Sequence, residues 1–321
     1  MSTPLVSVLI PCYNATAWLE ATLASVRAQT WRPYEIILVD DGSTDGSAEL
    51  AARLAGPDLK IVHQPNAGQC AAFNHALRVA QGDYFEYLDA DDLLAPEKIS
   101  VQMRRLAALP SGWVAAGEWA RFYRSPDDAV FQSEPVWRDL APVDWLVTSW
   151  SGGGMMHGSA WLVPRNVAVA AGSWDERLSL INDFDYFTRV LLNSQGVAFC
   201  PGARTFYRSS IGNSLSQSTS RRAWESAFLS TKLGTDALLA RENGPRTQLA
   251  SAINLQRFAY SAYPFAPDLV AQAEQWIREL GGCDLAFGGG PVFQWLRRIC
   301  GWKFARRAQM AGRRVMRKKP S

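Results

Sequence analysis

The sequence predicts an α/β protein: a mostly parallel β-sheet flanked by helices, followed by a helical extension. Two observations support this prediction. Over about the first hundred residues, short apolar runs alternate with amphipathic stretches, which is typical of βαβ units in a sheet buried on both faces. From residue 221 onward the pattern is helical, with breakers such as NGPR between the segments. With 321 residues, of which 48% are hydrophobic and 20% charged, the chain can form one large α/β domain or two smaller ones.

Each element of the alternating region follows from its local pattern. Apolar runs bounded by polar turns predict strands, and apolar positions that recur every three to four residues predict helices. The predicted strands are VSVLIP (6–11), EIILVDD (35–41), LKIVHQ (59–64) and DYFEYL (83–88). The predicted helices cover 16–28, 45–54, 68–80 and 96–109.

After residue 110 the regular alternation is lost. A helix is predicted near 183–194, and a glycine-rich loop, SGGGMMHGS, occupies 151–159. We therefore expect one domain over residues 1–215, with halves 1–109 and 110–215, and a helical extension over 216–321. The short strand candidates are WVAAGEW, SAWLVP, VAFCPG and ARTFYR. The predicted helices of the extension are 221–243, 247–262, 267–280 and 291–317.

Polar clusters follow the predicted strands at their carboxyl ends. In open α/β sheets these ends meet at one edge, where ligands bind. Four separate motifs therefore predict a single binding crevice. They are PCYN (11–14), DDGSTD (40–45), QPNAG (64–68) and DADD (89–92).

Three carboxylates lie within four residues after the fourth predicted strand: Asp89, Asp91 and Asp92. Crowded carboxylates repel one another, and Mg²⁺ or Mn²⁺ is bound by such groups together with phosphate oxygens and water. Asp91 or Asp92 could instead cap the helix that Pro96 begins. Capping accounts for one carboxylate and not for three, so the cluster predicts a metal site.

The segment DDGSTDGS supplies further carboxylates. Its second part is an ordinary turn in which we expect Asp45 to cap the following helix. Asp40 and Asp41 are then left facing the crevice, where carboxylates can accept hydrogen bonds from a nucleobase or a ribose hydroxyl. Tyr13 of PCYN can place its ring on a base. These features together are compatible with nucleotide binding.

Four stretches of the chain resemble family 2 glycosyltransferases, which have the GT-A fold. The stretches are PCYN, LVDDGSTDGS, QPNAGQCAAFNHALRVAQGDYFEYLDADD and GSWDERLSLINDFDYFTRVL. The resemblance covers about residues 5–210, and nothing in it covers 221–321. It implies an inverting enzyme that transfers a sugar from a nucleotide sugar with Mn²⁺ or Mg²⁺. In that case 1–109 would bind the nucleotide sugar and 110–215 the acceptor.

The resemblance also implies roles for individual residues. The metal-binding DxD element falls on 89–91, with Asp91 the expected ligand and Asp89 beside it. The acceptor-side motif falls on 182–185 and makes Asp183 the expected general base, although an acid there could also simply favour the helix dipole. The residues implied in nucleotide-sugar binding are Pro11, Tyr13, Asn14, Asp40, Asp41, Gly68, Asp89 and Ala90.

Two positions depart from the family pattern. Asn182 replaces the usual Glu beside the base, and Ser210 stands where many relatives have a His close to the metal and diphosphate. Trp174 lies where the resemblance implies an acceptor sugar, and it could stack on that sugar or pack against the helix near 183. Trp174 and Asn182 are the predicted acceptor-binding residues. His157 could contact the diphosphate or acceptor, but a loop histidine is more often structural or exposed, and we assign it no role.

The end of the chain is strongly basic. Residues 291–321 carry ten Lys or Arg and no acid, which leaves the remainder of the +3 chain at −7. An acidic body with a basic, aromatic tail is not typical of a nucleic-acid-binding domain. The tail (291–319) could lie on the anionic inner face of a membrane, or it could be a solvated helix that packs its aromatic residues on the body.

Cysteine usage and hydropathy indicate the compartment. The five cysteines form no CxxC pair, and no apolar run approaches the roughly 20 residues of a spanning helix. We therefore expect a cytoplasmic protein, with peripheral membrane contact as an option.

We thus expect an inverting glycosyltransferase that uses a UDP-sugar and a saccharide or lipid-linked glycan acceptor of a bacterial envelope. Two other classes are considered. A nucleotidyltransferase would usually carry a glycine-rich, basic phosphate loop after the first strand, and PCYNATAW has none. A silent sugar-nucleotide-binding or scaffold protein would lose the carboxylates, whereas Asp89, Asp91 and Asp183 are present.

Overall fold

A computed structural model describes residues 3–209, 218–285 and 290–317, with side chains up to 310 in the last range. Its centre is an eight-stranded mixed sheet with the strand order β3-β2-β1-β4-β7-β6-β8-β5. The strands are β1 (Val6–Cys12), β2 (Tyr34–Asp40), β3 (Leu59–His63), β4 (Tyr84–Tyr87), β5 (Leu93–Leu94), β6 (Trp113–Phe122), β7 (Trp161–Pro164) and β8 (Gly196–Arg208).

Helices flank the sheet in the first part of the described chain and follow it in the last part. The α-helices are α1 (Leu19–Arg27), α2 (Ser47–Arg53), α3 (Gln69–Val79), α4 (Lys98–Ala107), α5 (Pro142–Trp150), α6 (Arg165–Ala171), α7 (Asn182–Leu192), α8 (Arg221–Arg241), α9 (Pro245–Ala262), α10 (Pro267–Glu279) and α11 (Pro291–Arg317). The predicted α/β architecture and the C-terminal helices are confirmed.

The parallel part, β3-β2-β1-β4, is buried on both faces. Along β1, Val8 and Ile10 belong to one hydrophobic cluster and Leu9 to the other. On β2, Ile36 and Ile37 separate in the same way. Successive side chains of a strand point to opposite faces, so a continuous apolar run is required where helices cover both sides.

The second part of the sheet is mixed. β7 pairs antiparallel with β4 and β6, whereas β6 and β8 are parallel. VAFCPG and ARTFYR, predicted as two strands, form the single strand β8. The register between β6 and β8 shifts at Gly117. A Cβ at Gly117 would lie 2.2 Å from the carbonyl oxygen of Ala203, so the close approach of the two strands requires glycine there.

The C-terminal helices form a hydrophobic cluster of their own. Apolar residues of α8, α9 and α10, including Leu255 and Val270, pack together. The predicted continuous helix 291–317 is interrupted at Gly301, whose φ of 79° and ψ of 163° are not helical. Within the described residues, no helix is long and apolar enough to cross a membrane.

Candidate active site

The carboxyl ends of β1, β2 and β4 meet at one edge of the sheet and bring the predicted motifs together. β1 pairs with both β2 and β4 in parallel register. The segment after β2 begins with Asp41, and the acidic segment 89–92 follows β4. This is the edge where parallel sheets bind ligands, as the sequence predicted.

Asp41 organises the loop beside this edge. Its Oδ1 accepts hydrogen bonds from Gln64 Nε2 (2.7 Å) and the backbone N–H of Ala67 (2.8 Å), and its Oδ2 accepts one from the N–H of Gly68 (2.9 Å). Asp40 accepts from the N–H of Ser43 (3.2 Å). Both carboxylates are buried and already bonded within the chain. Their proposed contact with a base or ribose stays a prediction.

The remaining residues predicted for nucleotide binding lie around the same loop. Tyr13 is 53% exposed, so its ring is free to receive a base. Asn14 has a φ of 51°, and its Oδ1 accepts from the N–H of Thr44 (2.8 Å), which joins the first and second crevice loops. Pro11 is buried within β1. Asp45 accepts from the N–H of Ser47, the first residue of α2 (3.0 Å), but the N-cap of α2 is Gly46 and not Asp45 as predicted.

The acidic segment after β4 is poorly neutralised within the chain. Burial, and then the charges of Asp91 and Asp183, raise the pKa of Asp89 to about 7. Burial also raises the pKa of Asp91 and, with repulsion from its two neighbours, raises that of Asp92 well above its usual range. Asp92 is fully buried, and its Oδ2 has no hydrogen-bond partner among the described residues. Such a cluster is suited to a hard divalent cation.

The group of possible metal ligands in the structure differs from the predicted pair of acids. Among the described residues, ligand atoms of Asp89, Asp92 and His157 lie within 4.8 Å of one another. Asp92 therefore accompanies Asp89 in this group, while the metal role of Asp91 stays a prediction. Arg208, whose charge lowers the pKa of Asp91, donates its Nε–H to the main-chain oxygen of Asp91 (2.8 Å).

His157, which was assigned no role from the sequence, lies beside the acidic segment. Its Nδ1 lies 3.6 Å from Asp92 Oδ2, and its ring lies against the ring of Tyr207, with centroids 4.4 Å apart. β7 runs antiparallel to β4, so the segment before β7 lies beside the segment after β4. This pairing brings His157 to the acids. The position of MMHGSAW directly before a strand was the available signal, but sequence alone does not identify that strand's neighbour.

Asp183 lies in the first turn of α7, partly buried, and burial raises its pKa. The charge of Asp183 contributes to the raised pKa of Asp89, so the predicted base lies near the acidic segment. The structure thus brings together the two carboxylate motifs that the sequence placed more than ninety residues apart.

The predicted acceptor contact of Asn182 needs correction. Asn182 is 7% exposed, and its Nδ2 donates to Gln69 Oε1 (2.9 Å). Gln69 Nε2 in turn donates to Asp89 Oδ1 (2.7 Å). Since its amide is used in this way, Asn182 links the start of α7 to the acidic segment instead of facing an acceptor. Gln69 was not identified from the sequence.

The predicted stacking of Trp174 on a sugar also needs correction. Trp174 is 3% exposed, and its two neighbours Phe73 and Tyr186 stack on it at centroid distances of 4.6 and 4.0 Å. Apolar ring surface is most stable away from water, so the side chain joins the core. The alternative, packing against the helix near 183, is what the structure contains.

The helical extension positions the turn before α7. Ser226 Oγ of α8 accepts from the N–H groups of Ser179 (2.7 Å) and Leu180 (3.0 Å). Ser230 Oγ donates to the carbonyl oxygen of Ile181 (2.6 Å), whose φ of 49° is left-handed. Residues outside the resemblance therefore fix the backbone immediately before Asp183.

Comparisons with known proteins agree with this geometry. Residues 7–161 match the sequence model described as glycosyl transferase family 2. The chain is 30% identical over 196 residues to an uncharacterized glycosyltransferase of Rickettsia bellii, covering 58% of this chain and 27% of that protein. It is 43% identical over 97 residues to the uncharacterized glycosyltransferase YibD of Escherichia coli, covering 30% and 28% of the two chains. The chain thus spans about a quarter of the length of these curated relatives.

The fold is also that of a solved structure. Residues 1–349 of S. aureus TarS, in complex with UDP-GlcNAc, superpose with a TM-score of 0.71 at 14% identity, covering 97% of this chain and 92% of that one. A second TarS structure, in complex with UDP, gives a TM-score of 0.66. The predicted fold class, including the C-terminal helices, is therefore confirmed.

Proposed function

The domain that contains residues 7–161 belongs to glycosyl transferase family 2, and we propose that this chain is an inverting glycosyltransferase. It moves a sugar from a nucleotide sugar, a UDP-sugar by preference, to a hydroxyl of a saccharide or lipid-linked glycan. The biological setting that we propose is bacterial cell-envelope polysaccharide biosynthesis. Residues 1–109 bind the donor, 110–215 contribute the acceptor side, and 216–321 form the helical extension.

The main support for the proposal is that two sets of carboxylates, the segment 89–92 and Asp183, lie at one edge of the sheet. The segment 89–92 follows β4, and Asp183 begins α7 close enough to raise the pKa of Asp89. A sugar transfer needs both groups: one for the donor diphosphate and another to activate the acceptor. Tyr13, exposed at the same edge, is available to stack on the base.

Asp183 is the proposed base. An acceptor hydroxyl is a weak nucleophile until a carboxylate removes its proton. Burial raises the pKa of Asp183, which makes its ionised form a stronger base. The acceptor oxygen then attacks the anomeric carbon from the face opposite the diphosphate. The bond to the diphosphate breaks, the configuration inverts, and the proton remains on Asp183.

Asp89 and Asp91 are the proposed ligands of a divalent cation, Mn²⁺ or Mg²⁺. The raised pKa values of the cluster and the unpartnered Asp92 Oδ2 fit such a group. A bound cation would neutralise the negative charge that develops on the leaving diphosphate. Arg208, at the end of β8, adds positive charge beside Asp91.

The choice of a UDP-sugar is supported by the TarS structures, which are complexes with UDP-GlcNAc and with UDP. The acceptor class is supported by the surface of α11. Its side chains Val292, Trp295 and Ile299, spaced as one helical face, are 70%, 61% and 61% exposed. Exposed apolar groups beside Arg298 suit an anionic membrane surface. We accordingly propose a cytoplasmic protein, peripheral on the inner membrane face.

The donor site is tested by a thermal-shift panel. Purified protein is scanned with UDP, GDP, CDP and dTDP and then with UDP-sugars, each with and without Mn²⁺. Binding to the native state raises the melting temperature by mass action. A rise with UDP that requires Mn²⁺ is expected, and it should be lost in Asp91→Ala with the circular dichroism spectrum retained. The absence of any metal-dependent rise would contradict the proposal and favour a silent scaffold.

The membrane contact is tested separately by flotation with vesicles. Wild type should float with vesicles of phosphatidylglycerol and phosphatidylcholine but not with phosphatidylcholine alone. Trp295→Ala/Ile299→Ala should float at least ~10-fold less, because two apolar side chains no longer enter the bilayer. Leu249→Ala, also at an exposed apolar helix position (48% exposed), is the matched control. Equal flotation of the double variant and this control would contradict the membrane contact.

A further inference from the structure

Asp92 and His157 form an unusual buried pair beside Asp89. Asp92 Oδ1 accepts from the backbone N–H of Arg208 (2.9 Å), while Oδ2 points toward His157 Nδ1 at 3.6 Å. That separation is too long for a good hydrogen bond. The pair therefore leaves a fully buried carboxylate oxygen unsatisfied among the described residues.

A contribution to the stability of the fold does not explain why Asp92 and His157 are buried together. An unpartnered buried polar oxygen destabilises the folded state, and more so if it is charged. His157 Nδ1 and Asp92 Oδ2 face each other at 3.6 Å without a hydrogen bond between them. An imidazole nitrogen and a carboxylate oxygen arranged in this way can share a cation.

Neighbouring residues hold the side chains of His157 and Asp89 in position. Ser159 Oγ lies 2.8 Å from His157 Nδ1, and the rings of Trp119 and Tyr207 lie against the imidazole. Cation binding at Nδ1 would replace the hydrogen bond with Ser159. Asp89, whose Oδ1 is fixed by Gln69, supplies the third ligand atom of the group.

We propose that Asp92 and His157 bind the divalent cation of this enzyme together with Asp89 and Asp91, with the His157 imidazole as its nitrogen ligand. This inference rests on the proposed function, since it assigns ligands to the cation of the donor site.

A nitrogen ligand has a consequence for the choice of metal. Mg²⁺ prefers oxygen ligands in strict octahedral geometry, whereas imidazole suits transition metals better. The site should therefore select Mn²⁺ over Mg²⁺, and His157 should be the residue responsible. The imidazole ligand would thus distinguish Mn²⁺ from Mg²⁺. The carboxylates of the acidic segment do not distinguish them, because carboxylates bind both cations.

The test is pulsed electron paramagnetic resonance on full-length protein loaded with Mn²⁺ in the presence of UDP. Electron spin echo modulation detects nitrogen bonded to Mn²⁺. Protein labelled with ¹⁵N only in histidine should show ¹⁵N modulation, which separates imidazole from other nitrogen. The modulation should vanish in His157→Gln and persist in His63→Gln, the matched control with its side chain 62% exposed.

Affinities measured by calorimetry provide the second readout. His157→Gln should bind Mn²⁺ at least ~10-fold more weakly, while its Mg²⁺ affinity changes less. Asp92→Asn should also weaken Mn²⁺ binding but retain the ¹⁵N modulation at saturating metal. Wild-type protein alone suffices if a variant does not fold, because its labelled spectrum already decides whether histidine is a ligand.

The outcomes separate this inference from the proposed function. Mn²⁺ bound together with UDP but without histidine modulation would overturn the inference and leave the glycosyltransferase proposal intact. Modulation that persists in His157→Gln would overturn it as well. Failure of Mn²⁺ to bind at all would contradict both the inference and the metal dependence of the proposed function.

Discussion

Two buried carboxylate sites lie three residues apart on the same stretch of chain, and they differ in where their positive charge comes from. Glu86 on β4 is fully buried and forms an ion pair with Lys98 of α4, which also donates to the carbonyl oxygen of Trp161 (3.2 Å). The segment 89–92 follows directly. Its carboxylates repel one another, and Arg208 gives its Nε–H to a main-chain oxygen and not to a carboxylate.

The same contrast occurs on α7. Asp185 is buried and bonded to Arg189 four residues later, with the Nη2–Oδ2 distance at 2.8 Å. Asp183, one position inside the helix start, has no such ion pair among the described residues. Carboxylates with a structural role form ion pairs within the chain. A buried carboxylate with no ion pair instead indicates a position where a ligand or metal binds or a proton is transferred.

Asp183→Asn should have the largest effect. Loss of a general base lowers kcat by about 10²–10⁴-fold, while UDP binding and the melting temperature change little. Steady-state transfer assays and thermal shifts measure these quantities. Asp185→Asn is the matched control on the same helix: it should lower the melting temperature because Arg189 loses its partner, and reduce kcat by less than about 10-fold. Equal kcat losses in the two variants would remove the distinction between them.

Lys98→Met should be the most destabilising single change at the paired site. It leaves Glu86 buried without its counter-charge, and breaking a buried pair in this way costs about 3–5 kcal/mol in the free energy of unfolding, measured by urea denaturation. Glu86→Leu/Lys98→Met should recover most of that loss, because neither charge remains. A single variant that loses less than about 1 kcal/mol would show that the pair does not carry its charges in the folded state.

Asp89→Asn should stabilise the metal-free protein, which is the opposite of Lys98→Met. Its pKa in the folded protein, about 7, is above the ordinary 3.8, so the folded state binds more protons between these values. Stability from this group is therefore present below about pH 4 and lost as the pH rises to about 7. Compared with wild type, the variant should be equally stable near pH 4 and more stable by at least about 1 kcal/mol at pH 8.

Melting curves across this pH range measure the difference. Mn²⁺ with UDP should reverse the ranking at pH 8, since only wild type gains the full binding energy. A variant that is less stable than wild type at every pH would indicate that Asp89 is satisfied within the chain.

Ser230→Ala should have the smallest effect and tests whether the extension supports the base. Removing its hydrogen bond to the carbonyl oxygen of Ile181 should cost about 1 kcal/mol of stability and lower kcat by several-fold, with the KM for the donor unchanged. Ser251→Ala is the control, because Ser251 is also fully buried but its Oγ has no hydrogen-bond partner in the described part of the chain. Equal kcat values for the two variants would contradict a positioning role.

Much of the architecture was accessible from local pattern. The apolar runs of β1 and β2 and the polar turns after them specify βαβ units, because a strand covered on both faces must be apolar throughout. The boundaries were less accurate: α1 begins at Leu19 and not at Thr16, since the N–H of Thr16 is used by Asp45 (3.0 Å). That bond joins two loops separated by 29 residues, and no local pattern indicates it.

The site was predicted in part. Asp89, Asp91 and Asp183 were singled out by spacing and resemblance, and the structure brings their motifs to one edge. Trp174 was misjudged because an aromatic residue near a motif can serve either a ligand or the core, and only packing distinguishes the two. His157 and Gln69 were missed because the residues that they contact, Asp92 and Asp89, are distant from them in sequence.

The sequence by itself determined the α/β class and the order of the polar motifs that follow the parallel strands, since these depend on local periodicity and residue type. It also predicted which carboxylates of those motifs are chemically active. Only the tertiary structure decided which charges are paired. Whether a carboxylate meets Lys98, Arg189 or nothing depends on strand neighbours and helix packing, and Coulomb energies in a buried site change steeply with such distances. The antiparallel pairing of β7 with β4 placed His157 beside Asp92, and that neighbourhood exists only in the folded chain.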